Sequence, residues 1–362
     1  MTRIVRKGLL LAAVSLLFAA TEALACTSAI VSGRLTDSGR PMLWKHRDAS
    51  DLNNKVERVT EVGKLSFVAL FNSTDPKCEQ AWIGMNEAGF AIMNTASYNL
   101  KADTVREMDH EGYLMYRALG QCRTLGDFER LLDSLPKPLR VEANFGVIDA
   151  YGGAAYFETD NWSFRRFDVD DTAEGYIVRT NYSHSGQKDG GYGYVREQNA
   201  LTLLEPYVKS HTVSPEVFTE DLSRSFYHSV VGRDFEKGAD AWTMDIDFIP
   251  RYDSSASVVI EGVRSPEEAG SMVMWTVLGY PPCGTVVPVT LDNVPAEVRA
   301  STGGNSPAVL EANELKREVF PRTFDRGYRY IYLRALFNEE GTGISQRLER
   351  KNRELYKKYR NK

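Results

Sequence analysis

Apolar and polar residues alternate with a period of two over much of the stretch from residue 26 to about residue 100, and that period predicts strands. "CTSAIVSG" (26–33) and "MLWKHRD" (42–48) flank "TDSGRP", where Gly39 and Pro41 suit a bend, so the pair reads as a hairpin. "LSFVALF" (65–71) and "GFAIMNTAS" (89–97) are further strands. "GMNEAG" (84–89) reads as the turn between them, with Asn86 and Gly89 suited to positive φ. The period then changes. "HEGYLMYRALGQC" (110–122) and "TLGDFERLLDSL" (124–135) space their apolar residues at three and four, and Thr124 is placed to cap the second helix. Strands return at "ANFGVIDA" (143–150), "GAAYFET" (153–159), "SFRRFDV" (163–169) and "GYIVRTNYS" (175–183). Helices are predicted from Tyr194 to Tyr207 and from Ser214 to Ser225. A last strand group, "SSASVVIEGV", "SMVMWTVLG" and "TVVPVTL", precedes a helical C-terminal part. Many antiparallel strands with helices in separate blocks argue for a layered α+β domain rather than alternating βαβ units.

The two ends read differently from the middle. Arg3, Arg6 and Lys7 precede an apolar run from Gly8 to Ala20, and the segment closes on Ala23-Leu24-Ala25, the pattern of a secretory signal cut after Ala25. The apolar run is shorter than the roughly 20 residues of a membrane-spanning helix. Cleavage would make Cys26 the first residue of an exported chain of 337 residues, read as a single domain from 26 to 362 whose helical extension begins at about residue 310. The basic tail from Arg347 to Lys362 also holds Glu349 and Glu354 and reads as a solvated helix.

Composition adds mainly exclusions. A net charge of −5 gives no reason to expect nucleic acid, and the mature chain has no membrane segment; a homo-oligomer is compatible with it. Cys26, Cys78, Cys122 and Cys283 are scattered and do not form a disulfide framework, although a Cys78–Cys283 or Cys78–Cys122 bridge is conceivable; free structural thiols are the simpler reading for the last three. There is no CxxC pair, and His46, His110, His184, His211 and His228 lack metal-ligand spacing. GxSxG, HExxH, a phosphate loop and GxGxxG are also absent, so neither a metal nor a cofactor is expected. "KDGGYGYV" (188–195) reads as a flexible surface loop.

Cys26 is the remaining candidate. A cysteine at a mature N-terminus carries a thiol and a free α-amine on one residue, and that amine, with a pKa of about 7.7–8.0, can take the thiol proton at neutral pH. Two other readings compete with this one. The first is a buried structural thiol. The second is a lipid attachment site, which wants a large aliphatic residue three positions before the cysteine and a small one two before, whereas Ala23 and Leu24 stand in the opposite order.

"CTSAIVSG" followed by "PMLWKHRD" resembles the cysteine-type N-terminal-nucleophile (Ntn) hydrolases that cleave linear amides, the group of bile salt hydrolases, penicillin V acylases and acyl-CoA:6-aminopenicillanic acid acyltransferases. "GMNEAGFAIMN", "NFGVIDAYGGAAYFE", "VRTNYS" and "MVMWTVLGYPPCGTVVPV" are similar to later segments of that family, in order, so the resemblance spans about Cys26 to Pro288. It implies a four-layer αββα sandwich of two stacked antiparallel sheets, with Cys26 at the end of a strand. It also implies roles. Cys26 would attack the amide carbonyl, with its own α-amine as base. Lys45 would stabilise the thiolate, Asp48 would hold the α-ammonium, Asn94 would donate to the oxyanion, and Asn181 would orient the N-terminus or complete the oxyanion hole. His46 departs from the family's usual Asn, and "SSASVV" places Val258 where bile salt hydrolases have an arginine, with Arg251 nearby in sequence. The implied substrate is a small acyl amide, and no cofactor is needed. An acyltransferase or a dipeptidase would use the same acyl-enzyme; a non-catalytic exported or lipid-anchored binding protein is the rival from another class.

Overall fold

The computed structural model describes residues 26–238, 240–322 and 329–360, so the segment read as a secretory signal lies outside the described residues. β1 (Thr27–Val31) and β2 (Met42–Asp48) form the expected hairpin, with Thr27 opposite His46 and Val31 opposite Met42. β3 (Asn54–Val59), β4 (Phe67–Asn72), β5 (Ile83–Asn86) and β6 (Ala91–Ala96) follow, then helices α1 (Glu111–Leu119) and α2 (Leu125–Ser134). β7 (Ala143–Ile148), β8 (Ala154–Thr159), β9 (Phe164–Asp168) and β10 (Tyr176–Arg179) lead into α3 (Tyr194–Ser210) and a π-helical turn at Val217–Leu222. Three short strands, β11 (Tyr227–His228), β12 (Arg233–Asp234) and β13 (Trp242–Met244), precede β14 (Ser254–Glu261), β15 (Val273–Leu278) and β16 (Val286–Val289). The last elements are α4 (Pro307–Val319), β17 (Tyr330–Tyr332), α5 (Leu333–Leu336) and α6 (Ile344–Arg360).

The long strands make two antiparallel sheets, one of six strands in the order β10-β1-β2-β14-β15-β16 and one of seven running from β3 to β9 in sequence order. Side-chain alternation explains how they stack. Along β1 and β2, Ile30 and Leu43 point into a core shared with Val68, Met85 and Met93 of the other sheet. Their neighbours Ala29, Val31, Met42 and Trp44 point the other way, into a core with Ala200 and Leu204 of α3 and Phe218 of the π-helical turn. The outer face of the seven-stranded sheet is covered by Met115 and Leu119 of α1 and Phe128 and Leu132 of α2. Helix, sheet, sheet and helix therefore form four layers, the αββα sandwich implied by the resemblance. α2 begins with a reciprocal capping box in which Thr124 accepts from the Asp127 N–H and the Asp127 carboxylate accepts from the Thr124 N–H, a feature worth about 1 kcal/mol.

Several expectations need correcting. Gly89 does adopt positive φ (83°), but Asn86 ends β5 instead; its side-chain oxygen accepts from the N–H groups of Ala88 and Phe90 and shapes the turn that way. The tail is not simply a solvated helix. α6 buries Leu348, Asn352 and Tyr356, and Tyr356 packs against Trp275 of the six-stranded sheet. Cys122 is a core residue as its spacing suggests, yet it lies just beyond the end of α1. All four cysteines are free thiols. "KDGGYGYV" is tied rather than flexible: Tyr192 and Asn181 exchange backbone hydrogen bonds, and Gly193 (φ 95°) opens α3.

Candidate active site

The site lies where the inner faces of the two sheets change from apolar to charged. In β2 the inward positions run Leu43, Lys45, Arg47, and all seven strand residues are buried. In β1 the same inward alternation runs back through Ile30 and Ser28 to Cys26, just before the strand begins. β5 stops early in its pairing with β6: the pair nearest Asn94 is Ile83 with Met93, so Asn94 lies one residue beyond the paired segment. That leaves the end of β6 open to side chains from the facing sheet. A cavity of about 460 Å³ fills the opening, and Cys26, Lys45, Asp48 and Asn94 all line it, together with Arg47, Trp82, Tyr98 and Glu111. A larger hollow of about 740 Å³ lies beside Arg179, His184 and Glu197, but among the described residues its lining includes no cysteine, serine or lysine. The smaller cavity is therefore the candidate.

Cys26 is buried, and its Sγ lies 3.8 Å from the backbone carbonyl oxygen of Asp48. Lys45 Nζ donates to Asn94 Oδ1 at 2.6 Å and to the Trp82 carbonyl at 3.1 Å, a tie between the two sheets. An ammonium can only donate, so this contact fixes the Asn94 amide with Oδ1 toward Lys45 and leaves the Nδ2 hydrogens to serve the cavity. Burial lowers the Lys45 pKa to about 8, opposed by the charge of a Cys26 thiolate.

Asp48 is held at both oxygens: Ser254 Oγ donates to Oδ1 at 2.6 Å and Arg251 Nη2 to Oδ2 at 2.5 Å. Arg251 thus anchors Asp48 instead of lining the cavity, and Val258 is a buried residue of the inter-sheet core. The arginine that does line the cavity is Arg47, a residue the sequence reading does not single out. It donates to Asn54, Asn72 and Ser255 and lies 4.9 Å from the centre of the Trp82 ring. His46 faces away from the cavity on the outward side of β2, where Nε2 meets Ser254 Oγ at 2.8 Å; burial pushes its pKa down to about 4, so the ring is neutral near pH 7.

Asn181 lies behind Cys26 rather than in the cavity. Its Nδ2 donates to the Ala96 carbonyl at 2.8 Å, and its Oδ1 accepts from Arg196 Nη2 at 2.8 Å. Arg196 also donates through Nη1 to the Cys26 carbonyl at 2.6 Å and to Thr27 Oγ1 at 2.9 Å. The sequence reading misses this residue. Its one signal is position: Arg196, Ala200 and Leu204 recur every four residues along the buried stripe of α3, and a charge in such a stripe needs a partner. Gly193 suits this place because its φ of 95° is a backbone conformation that L side chains rarely adopt.

At another side of the cavity, Glu111 opens α1 and accepts the Glu142 N–H at 2.9 Å. Burial raises its pKa from 4.5 to about 7. The folded state favours the protonated acid, so its contribution to stability is whole below about pH 4.5 and is lost as pH rises through about 7. Glu111→Gln keeps the acceptor and removes the titration. It is expected to flatten the dependence of melting temperature on pH between about 5 and 8, which thermal melts across that range check.

No known family model matches the chain, and no curated protein matches it. Among solved structures, it is similar to an N-acylethanolamine-hydrolyzing acid amidase (NAAA) ortholog from Caenorhabditis elegans, at 12% identity over 65% of this chain and 92% of the other, with a TM-score of 0.45. It is also similar to a mutant of the conjugated bile acid hydrolase from Clostridium perfringens, at 10% identity over 75% and 93% with a TM-score of 0.48. A third similar structure is the penicillin V acylase of Agrobacterium tumefaciens, at 12% identity over 74% and 87% with a TM-score of 0.41.

Proposed function

We propose that the protein is an exported hydrolase of linear amides that works through a Cys26 thioester, with the α-amine of the mature N-terminus as general base. The observation that carries this reading is the meeting in one cavity of a buried cysteine, a buried lysine and an asparagine with amide hydrogens to spare. The proton of the Cys26 thiol passes to the α-amine as sulfur attacks the carbonyl carbon. Asn94 Nδ2 donates to the developing oxyanion, and Lys45 holds Asn94 in place and offsets the negative charge. The tetrahedral intermediate collapses as the α-ammonium returns its proton to the leaving nitrogen. Water, deprotonated by the same amine, then cleaves the thioester and regenerates the thiol.

Intact mass spectrometry of the exported protein tests this reading. The expected chain begins at an unmodified Cys26 and, after brief exposure to a substrate from an acyl-amide panel and acid quench, gains the mass of one acyl group on that residue. A retained leader or a diacylglyceryl adduct at Cys26 would remove the α-amine from the mechanism and the proposal with it.

A further inference from the structure

Arg196 approaches the site from the helical side of the six-stranded sheet, behind the cavity that Lys45 and Arg47 enter from its inner face. Its guanidinium is 1% exposed, and the oxygens that receive it belong to a backbone carbonyl, a hydroxyl and an amide, none of which carries a full charge. Keeping a cation in such a place is costly, and burial lowers its pKa to about 10. Packing and hydrogen bonding alone would be served as well by a neutral donor of similar length. The charge therefore calls for a role beyond filling space.

The carbonyl that Arg196 grips belongs to the residue whose α-nitrogen is the base in the reaction proposed above, and this inference rests on that reading. Bond geometry limits the α-nitrogen and the carbonyl oxygen of one residue to roughly 3.6 Å apart at most, so the guanidinium lies within about 6 Å of the amine. A cation at that range disfavours the ammonium form. Among the charged or titratable groups around Cys26 are Lys45, Arg47 and Asp48 from β2, Arg251 from the segment before β14, and Tyr98 from the stretch after β6; Glu111 acts on Lys45, Asp247 acts on Arg196, and Asp51, Asp109 and Glu142 share the cavity lining. Asp48 is the carboxylate of β2 that would favour the ammonium, and Arg251 and Ser254 already hold it at 2.5 and 2.6 Å. Arg196 is in direct contact with Cys26 itself.

We propose that Arg196 is a positioning residue for the mature N-terminus: it clamps the Cys26 carbonyl and Asn181 together, and its charge favours the unprotonated, basic form of the Cys26 α-amine. A residue that served only to pack α3 on the sheet would leave the titration of that amine alone.

The test is competitive acetylation of the α-amine by acetic anhydride across pH, read by mass spectrometry, in mature Cys26→Ser protein so that no thiol at the N-terminus intercepts the reagent. In the folded parent the midpoint is expected below the value of about 7.7–8.0 for an unperturbed α-amine. Adding Arg196→Met is expected to raise it by about half a unit or more, and Arg196→Lys, which restores a charge with fewer donors, to leave it close to the parent. An unchanged midpoint in Arg196→Met overturns the proposal. If that variant does not fold, the parent decides alone: a folded midpoint at or above that of the same chain unfolded in urea overturns the proposal, and a lower one supports it. The spectra also show where the mature chain begins, so failure of the N-terminal cysteine reading registers separately from failure of the role given to Arg196.

Discussion

Replacing Cys26 with alanine is expected to abolish turnover of every acyl amide that the parent hydrolyses, with a loss in kcat of about five orders of magnitude. The substitution leaves Lys45, Asn94 and the N-terminal amine in place, so what survives is the weak catalysis that oxyanion stabilisation and binding give without a nucleophile. Folding should be little affected, since alanine fits where cysteine stood and Cys26 Sγ makes a 3.8 Å contact to the Asp48 carbonyl, too long to contribute much. Cys26→Ser should fall between the two, because a hydroxyl is a far weaker acid than a thiol and the α-amine is a modest base. Release of the leaving amine, followed chromatographically over conjugated bile acids, penicillin V, N-acyl-homoserine lactones and short peptides, is the measurement. Full activity in Cys26→Ala would remove the nucleophile assignment.

Asn94→Ala is expected to lower kcat by 100- to 1000-fold, or about 3 kcal/mol, with KM changed by no more than about threefold. The split follows from the proposed role: the Nδ2 hydrogens would serve a charge that develops in the transition state, so their loss would affect the chemical step more than substrate binding. Asn94→Asp separates this role from a structural one. Aspartate would keep, and strengthen, the 2.6 Å contact with Lys45, and a purely structural asparagine would tolerate it. As an oxyanion donor, Asn94 would be replaced by a negative charge beside another negative charge, and Asp should be worse than Ala. Steady-state kinetics of the two variants give the order.

What can be read in the sequence follows from how each feature is encoded. β1, β2, β4 and the strands from β6 to β10 have enough apolar residues at period two to be found. β3 escapes because "NKVERV" holds only two apolar residues. Its polar side chains are placed by specific partners, Asn54 by Arg47 and Ser255, Lys55 by the Asp75 carbonyl, and Glu57 by Arg299 and Ala300. Lys45 and Asn94 stand out because they sit within recognisable segments. Arg47 stands in one of those segments as well, and is passed over because the pattern gives it no role. Arg196 lies outside them all, and its partners are a backbone carbonyl 170 residues earlier in the chain and side chains fixed by the tertiary fold. "KDGGYGYV" reads as a loose loop because glycine suggests freedom, whereas here Gly193 provides a rare backbone angle and empty space beside Arg196.

Cys26 precedes a strand of one sheet and Asn94 lies on a strand of the other, so no single element fixes the spacing between the proposed attacking sulfur and oxyanion donor. Registration of the two sheets across Ile30, Leu43 and Met93 sets it, and the Lys45–Asn94 contact is the rivet that joins them at the cavity. Under the proposed mechanism, activity would gauge the alignment of the two sheets. Small shears between the sheets, too slight to alter any helix or strand, would silence it, and methyl groups far from the substrate become determinants of rate.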